Sequence, residues 1–485
     1  MSVGALEGLE PPLVWARFAE LTEIPRPSKQ EEAARAHVLR WARERGLETA
    51  VDAVGNVVVH VPPSPRREQA ATVVLQAHLD MVCERDLASP YDPREGRIQV
   101  VREGDWVLAD GTTLGADNGI GVAAAMAAAE DPRLAHGRLE LLFTVSEEQG
   151  LDGAKGLEPA LVAGRRLVNL DGTSDDAITV GCAGSAHAFT RLPLRAEPVP
   201  ADWTSLAVRI SGAKGGHSGG DIARGRANAI TALGRALQQV HRETPFRLAR
   251  LEGGTSRNAI PREARAVVAL PGASEDGFRR AVEGALAVLR ERYASSDEGL
   301  VLSVEQSEPE PAAPDAVTSR VLDLLAATPS GVLAMSVQVP GRVETSTSLN
   351  VAATDAGILT LASMTRSASP VALDDVVATF EAIARLAEAE IEVVRSYPPW
   401  QPDLGSSLLA TARVTYRRLF GADPRLEIVH GGLECAVIGS KLPGVEMISI
   451  GPEIVGPHAP GERLSIPGTE RFYRLLGALL DDLSV

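Results

Sequence analysis

Residues 72–80 read TVVLQAHLD, a short Val- and Leu-rich run that ends on a histidine and, two residues later, an aspartate. Three further runs have the same form: LELLFTVSEE at 139–148, RLVNLD at 166–171 and VEMISIGPEIVGPH at 445–458. Short apolar runs set apart by turn residues and helical segments read as buried strands of an α/β sheet. In open sheets of this kind, ligands gather beyond the carboxyl ends of the strands. If the four strands are parallel neighbours, His78, Glu148, Asp171 and His458 come to one rim. A fifth candidate, Asp117, lies in the Gly-rich stretch GTTLGADNGIG at 111–121, which opens onto a helical pattern over 118–130.

Two imidazoles and three carboxylates form the mixed nitrogen and oxygen donor set that suits Zn²⁺, with Mn²⁺ or Co²⁺ as substitutes. Each residue alone has a plainer reading. A histidine after a strand is usually a hydrogen-bonded rim residue, an aspartate before a helix is usually an N-cap, and paired glutamates are usually solvated. Five of them at strand ends and in one Gly-rich loop point to a metal site.

Outward from this block the pattern alternates helix and strand, with a helix over 29–45 carrying acidic residues in its first turn and basic ones in its last. The middle of the chain changes character. Strand patterns at 205–210 and 264–270 accompany long amphipathic helices at 227–240, 276–293 and 373–394, and a linker-like SEPEPAAPD occupies 307–315. After SYPPWQPD at 396–403, helix–strand alternation resumes over 406–420, 445–450 and 468–483. These readings predict an α/β catalytic domain with a mixed, mostly parallel sheet, built from residues 1–186 and 400–485. An α+β lid made of two sandwich-like halves is inserted over 187–399.

Composition narrows the function classes. With 48 Lys and Arg against 64 Asp and Glu, the 485-residue chain carries a formal charge of -16, which disfavours nucleic acid and anionic lipid as partners. Its 45% hydrophobic and 23% charged residues are those of a globular protein with a sizeable core. Cys83, Cys182 and Cys435 form no CxxC pair and read as buried, reduced thiols. The first 18 residues show no basic segment followed by an apolar one, and the most apolar helical stretch, 119–129, is far shorter than the roughly 20 residues of a membrane span. A cytoplasmic location is expected.

The motifs AHLDMV, GTTLGADNGIG, TVSEEQGLDGA, GCAGS, KGGHSGG, NAIPREA, HGGLEC and IGPEIVGPHAP, in this order, resemble those of the cytosolic Xaa-His dipeptidases of the M20 metallopeptidase clan. The resemblance implies hydrolysis of Xaa-His and related dipeptides at a pair of divalent metal ions, most simply Zn²⁺. It implies that Asp117 bridges the pair, that His78 and Asp171 complete one site and that Glu148 and His458 complete the other. It further implies that Asp80 orients His78, that Glu147 is the general base acting on metal-bridging water, and that the Asp117–Asn118 peptide bond is cis. His217 is implied to steady the oxyanion, and Asn258, Arg262 and Arg366 to grip the dipeptide backbone and its free carboxylate, for which an Arg fork is suited. Glu434 is placed at the substrate's amino group, with a buried structural carboxylate as the alternative.

Two stretches depart from the family pattern. DGTSDD at 171–176 replaces the usual acidic run after the ligand, and VETSTSLN at 343–350 is longer than usual, so that loop's contacts stay unassigned. An N-acyl amino-acid amidase or carboxypeptidase of the same clan, or an inactive binding protein on this fold, are the rival readings. The first would accept N-acylated substrates; the second would have lost a ligand or the base, and the five ligands, Asp80 and Glu147 are all present. The long insertion suggests that one chain carries a complete active site, a homodimer being possible but not required.

Overall fold

A computed structural model describes residues 3–485, and the chain divides into two compact units. Of the described residues, the first comprises 3–182, 400–429 and 433–485; the second comprises 183–399 with 430–432. The division falls after residue 182 and not at the expected 186, because Gly184–Pro193 is one continuous strand that a later cut would sever.

The first unit is built on an eight-stranded mixed sheet. Its order is Glu48–Val51, Val57–Val61, Leu139–Thr144, Val73–His78, Arg166–Asn169, Glu446–Ser449, Ala177–Cys182 and Arg425–Val429. The four strands read from the sequence as ending on ligand-type residues are consecutive and mutually parallel at the sheet's centre. Antiparallel pairing is confined to the outer strands and to one contact between Ser449 and Thr179. Every residue of Val73–His78 and Leu139–Thr144 is buried, which is why these strands read as unbroken apolar runs.

Helix Ala116–Glu130 packs on Val73–His78 and on helix Pro12–Thr22. Its run of alanines suits a helix covered on all sides, where larger side chains would not fit. A four-stranded sheet of Val100–Glu103, Trp106–Ala109, Arg463–Ser465 and Ile454–Val455 holds the loop that carries His458.

The second unit is a nine-stranded antiparallel sheet with helices Ala229–Glu243, Glu275–Arg292, Asp315–Ala327 and Pro370–Leu386. Four strands (Val301–Gln306, Trp203–Ser211, Ala264–Pro271, Arg247–Gly253) meet four others (Val343–Asp355, Ile358–Ser367, Gly184–Pro193, Glu390–Tyr397) at a single registered pair, Gly253 with Ala352. Gly331–Met335 adds to Val343–Asp355. Two halves are thus fused edge to edge, but the 307–315 linker does not separate them: the strand that opens the unit, Gly184–Pro193, belongs to the second half. The helix expected over 373–394 ends at Leu386, and Glu390–Tyr397 is a strand. Glu388 turns the chain at φ 50, and the following EIEVVRSY alternates in exposure as a strand does.

Candidate active site

Because the four central strands run parallel, their carboxyl ends deliver their side chains to one rim, and Asp117 joins them from the start of helix Ala116–Glu130. The Asp117 carboxylate lies between two imidazoles. Its Oδ1 is 3.1 Å from His78 Nε2, and its Oδ2 is 3.1 Å from His458 Nε2. On one side, His78 Nε2 is also 3.6 Å from Asp171 Oδ1. On the other, His458 Nε2 is 3.1 Å from Glu148 Oε1. All five residues expected as ligands therefore converge, in the two groupings expected for them. His78, Asp117 and Glu148 alone form a donor set able to hold a metal ion.

The electrostatics are those of a site that wants positive charge. Hydrogen bonds to Asp117 and Glu148 push the His458 imidazole up to about 11. Burial pulls His78 down, but Asp171 and Asp117 outweigh it and hold the ring well above its ordinary value. Burial and the neighbouring Asp117 push Asp171 up to about 7. Protons thus sit where cations fit, and Glu148 Oε1 is a buried oxygen with the His458 imidazole beside it. The donor set fits metal ions.

Around this ring the backbone is held by buried polar groups. Asp80, fully buried, faces His78 Nδ1 at 3.3 Å and accepts from Ser28 Oγ and from the amides of Glu147 and Glu148. Burial alone would raise this carboxyl, but the bonds from His78 and Ser28 bring it down to about 2. It ties the turn after His78 to the turn bearing Glu147 and Glu148. Ser146, at φ 50, is fixed by Glu31, whose Oε1 accepts from its amide and hydroxyl. The Glu147 carboxyl is held well above the usual range by burial, opposed by His78 and reinforced by Asp171, Glu148 and Glu434. The Asp117–Asn118 bond is cis, and Asn118 Nδ2 donates to Asp171 Oδ1 and to the Leu170 carbonyl.

Glu434 is 1% exposed, and its Oε2 accepts from Thr144 Oγ1 and Gln76 Nε2, each at 2.6 Å. Gln76 Oε1 in turn accepts from Asn169 Nδ2 at 2.6 Å. A polar chain thus crosses three central strands just before their ligands. This enclosure matches the alternative given for Glu434, a buried structural carboxylate, and not a side chain presented to solvent.

In the second unit, His217 is exposed on the KGGHSGG loop. Its Nδ1 accepts from the amides of Gly219 and Gly220, which leaves the proton on Nε2. Partial burial and Arg366 hold the ring below its ordinary value, so it is neutral at pH 7. Asp297, 1% exposed, closes the loop by accepting from Lys214 N and Ala227 N, both at 2.7 Å. Arg366 is 5% exposed; Tyr397 Oη lies 3.4 Å from its Nη1, its Nε lacks a partner, and no carboxylate pairs with it among the described residues. Beside it, His430 contacts Ser346 Oγ at 2.7 Å while its Nδ1 has no partner. Burial, with Arg366 and His217, lowers His430 to about 4. The Gly219 backbone passes so close that a Cβ there would stand 2.5 Å from the His430 carbonyl oxygen. Asn258 and Arg262 are exposed, and the Asn258 carbonyl accepts from the Ser218 amide.

Sequence reasoning missed Arg26, Ser28, Asn118, His430 and Glu462. Signals existed for two of them. Arg26 sits between prolines just before a helix, and Glu462 follows His458 by four residues in the same hairpin. Among the described residues no helix is long and apolar enough to cross a membrane.

Known proteins resemble the chain along its whole length. The model of peptidase family M20/M25/M40 matches residues 74–482. The cytosol non-specific dipeptidase of Escherichia coli (strain K12) is 38% identical over 479 residues, covering 99% of both chains. The crystal structure of the aminoacylhistidine dipeptidase from Vibrio alginolyticus superposes with a TM-score of 0.91 at 35% identity, covering 98% of this chain and 97% of that one. An aminopeptidase PepT from Bacillus cereus shares the fold, with a TM-score of 0.57 at 17% identity over 98% of this chain and all of the other. The chain belongs to peptidase family M20/M25/M40 and is a hydrolase of peptide bonds.

Proposed function

We propose that this chain is a cytoplasmic metal-dependent dipeptidase that cleaves unblocked dipeptides, Xaa-His among them. The carrying observation is the ring of His78, Asp117, Glu148, Asp171 and His458, closed by Asp117 between the two imidazoles. In this reading two divalent ions, most simply Zn²⁺, would be held by these residues: one by His78 and Asp171, the other by Glu148 and His458, with Asp117 serving both. When bound, such ions lower the pKa of water and polarise a carbonyl.

The chain's own groups supply the rest. Glu147 is held by the Asp80 bond to its amide, and burial raises the proton affinity of its carboxylate. As the ionised carboxylate it takes a proton from the attacking water, and as the resulting acid it returns that proton to the leaving amine. Asp80 fixes the tautomer and orientation of His78.

The inserted unit supplies recognition. His217, neutral with its proton on Nε2, donates to the oxyanion of the tetrahedral intermediate. Arg366 is a buried cation that no carboxylate pairs with among the described residues, a match for the free carboxylate of the substrate, with His430 and Ser346 beside it. Asn258 and Arg262 contact the dipeptide backbone. Glu434 braces the sheet beneath the ligands and leaves the substrate's amino group to other residues.

The relatives' names differ on histidine, one being non-specific and the other an aminoacylhistidine dipeptidase. The proposal is a broad range that includes Xaa-His. A panel of Xaa-His and Xaa-non-His dipeptides and their N-acetyl forms, with Zn²⁺, Mn²⁺ or Co²⁺ added, tests it. Free dipeptides are expected to be cleaved and acetylated ones spared; preference for the acetylated forms would mark an amidase instead.

A further inference from the structure

Two buried charges, Glu462 and Arg26, bond the backbone beside the ligand ring. Glu462, 1% exposed, receives four consecutive backbone amides. Oε2 accepts from Leu114 N at 2.8 Å and Gly115 N at 3.0 Å, and Oε1 from Ala116 N at 2.8 Å and Asp117 N at 3.2 Å. These four bonds occupy a carboxylate's acceptor sites. Arg26, also 1% exposed, works on carbonyls instead: Nη1 donates to Leu79 O and Asp80 O, both at 3.0 Å, and Nη2 to Gly115 O. Gly115 is where the two meet. At φ 67 it turns its amide to Glu462 and its carbonyl to Arg26, and a Cβ there would stand 2.6 Å from Arg26 Nη2.

We propose that Glu462 and Arg26 are positioning residues for the metal-bridging carboxylate, Glu462 fixing the backbone that leads into Asp117 and Arg26 tying that backbone to the turn after His78. The proposal rests on the assignment of Asp117 as the shared ligand. A carboxylate that must reach two ions has little freedom in its backbone, and this loop has no regular hydrogen-bonding pattern to hold it before helix Ala116–Glu130 begins. Glu462 replaces that pattern with four bonds to one group. The ligands His78 and Asp117 come from segments far apart in the chain, and Arg26 spans them with a single rigid fork, as a lysine cannot. Glu462 lies in the same hairpin as His458, so that hairpin supplies a ligand and the anchor of another ligand together.

The test compares Glu462→Gln with a matched control. Glu140 is likewise buried and accepts from the amides of Ala163 and Gly164, but near the start of strand Leu139–Thr144, at the end of the sheet away from the ligands. Zn²⁺ affinity of the full-length protein is measured by competition with a chromogenic chelator, alongside thermal unfolding, and kcat and KM at saturating Zn²⁺. Glu462→Gln is expected to weaken Zn²⁺ binding by about 10–100-fold, the range for residues that orient ligands, and to lower kcat more than it raises KM. Glu140→Gln is expected to lose thermal stability while keeping wild-type Zn²⁺ affinity and kcat. Wild-type Zn²⁺ affinity in Glu462→Gln, or an equal loss in both variants, would overturn the proposal. If Glu462→Gln does not fold, Arg26→Lys decides on the same readouts: a loss of affinity of about 10-fold or more supports the proposal, and unchanged affinity rejects it. Asp117→Asn run in parallel separates this from the functional reading, since unchanged Zn²⁺ binding there removes Asp117 as a ligand, whereas its loss with Glu462→Gln intact rejects the positioning role alone.

Discussion

Glu434→Gln is expected to stabilise the metal-free protein, but only above acid pH. The carboxyl is 1% exposed; Oε2 accepts two hydrogen bonds, Oε1 has no partner, and burial pushes the group up to about 7 from 4.5. Below pH 4.5 the folded and unfolded chains both hold this proton, and the side chain costs nothing. Between 4.5 and 7 the unfolded chain releases a proton that the folded chain keeps, so stability falls as pH rises. Above 7 the penalty levels off at about 3 kcal/mol, the free energy that separates a carboxyl titrating at 4.5 from one titrating at about 7. Glutamine preserves the acceptor for Thr144 and Gln76 and never ionises. Urea unfolding of chelator-treated wild type and variant at pH 4, 6 and 8 reads the effect. The two proteins should match at pH 4, differ by about 2 kcal/mol at pH 6 and by about 3 at pH 8. A difference that does not change with pH would refute the reasoning and return Glu434 to a role outside the sheet interior.

Glu147→Gln is expected to abolish turnover with bound metal nearly unchanged, whereas Glu148→Gln loses metal, as metal analysis of the purified variants will show. Asp80→Asn should weaken Zn²⁺ binding by about 10–100-fold through His78, measurable by chelator competition. Arg366→Met should raise KM for free dipeptides while leaving hydrolysis of their C-terminal amides unchanged, since the amide presents no carboxylate. His217→Ala should lower kcat by about 10²–10³-fold, the scale of one lost oxyanion donor. Mixing inactive Glu147→Gln chains with His217→Ala chains should restore no activity, and substantial recovery would show that sites are built across subunits.

The catalytic unit was legible because burial on both faces makes a central parallel strand an unbroken apolar run, and each run here stops at a polar side chain with chemistry of its own. Val73–His78 and Leu139–Thr144 are entirely buried and stand out for that reason. What stayed hidden depends on partners distant in the chain. Glu462 receives the Asp117 amide from 345 residues away, and its place four residues after His458 is the one mark it carries in the sequence. The prolines on either side mark Arg26, but what it does shows only once Leu79, Asp80 and Gly115 close around it. In the inserted unit, helix Pro370–Leu386 and strand Glu390–Tyr397 are joined by a short turn at Glu388, and their apolar residues fall nearly in one helical register. Likewise the linker at 307–315 marks a true irregularity but not a boundary, because strand pairing across the unit ignores chain order.

Anomalous diffraction from crystals grown with Zn²⁺ will show whether these residues hold a metal pair. Two peaks are expected, one beside His78 and Asp171 and the other beside Glu148 and His458, with Asp117 next to both. A single peak, or peaks away from Asp117, would contradict it.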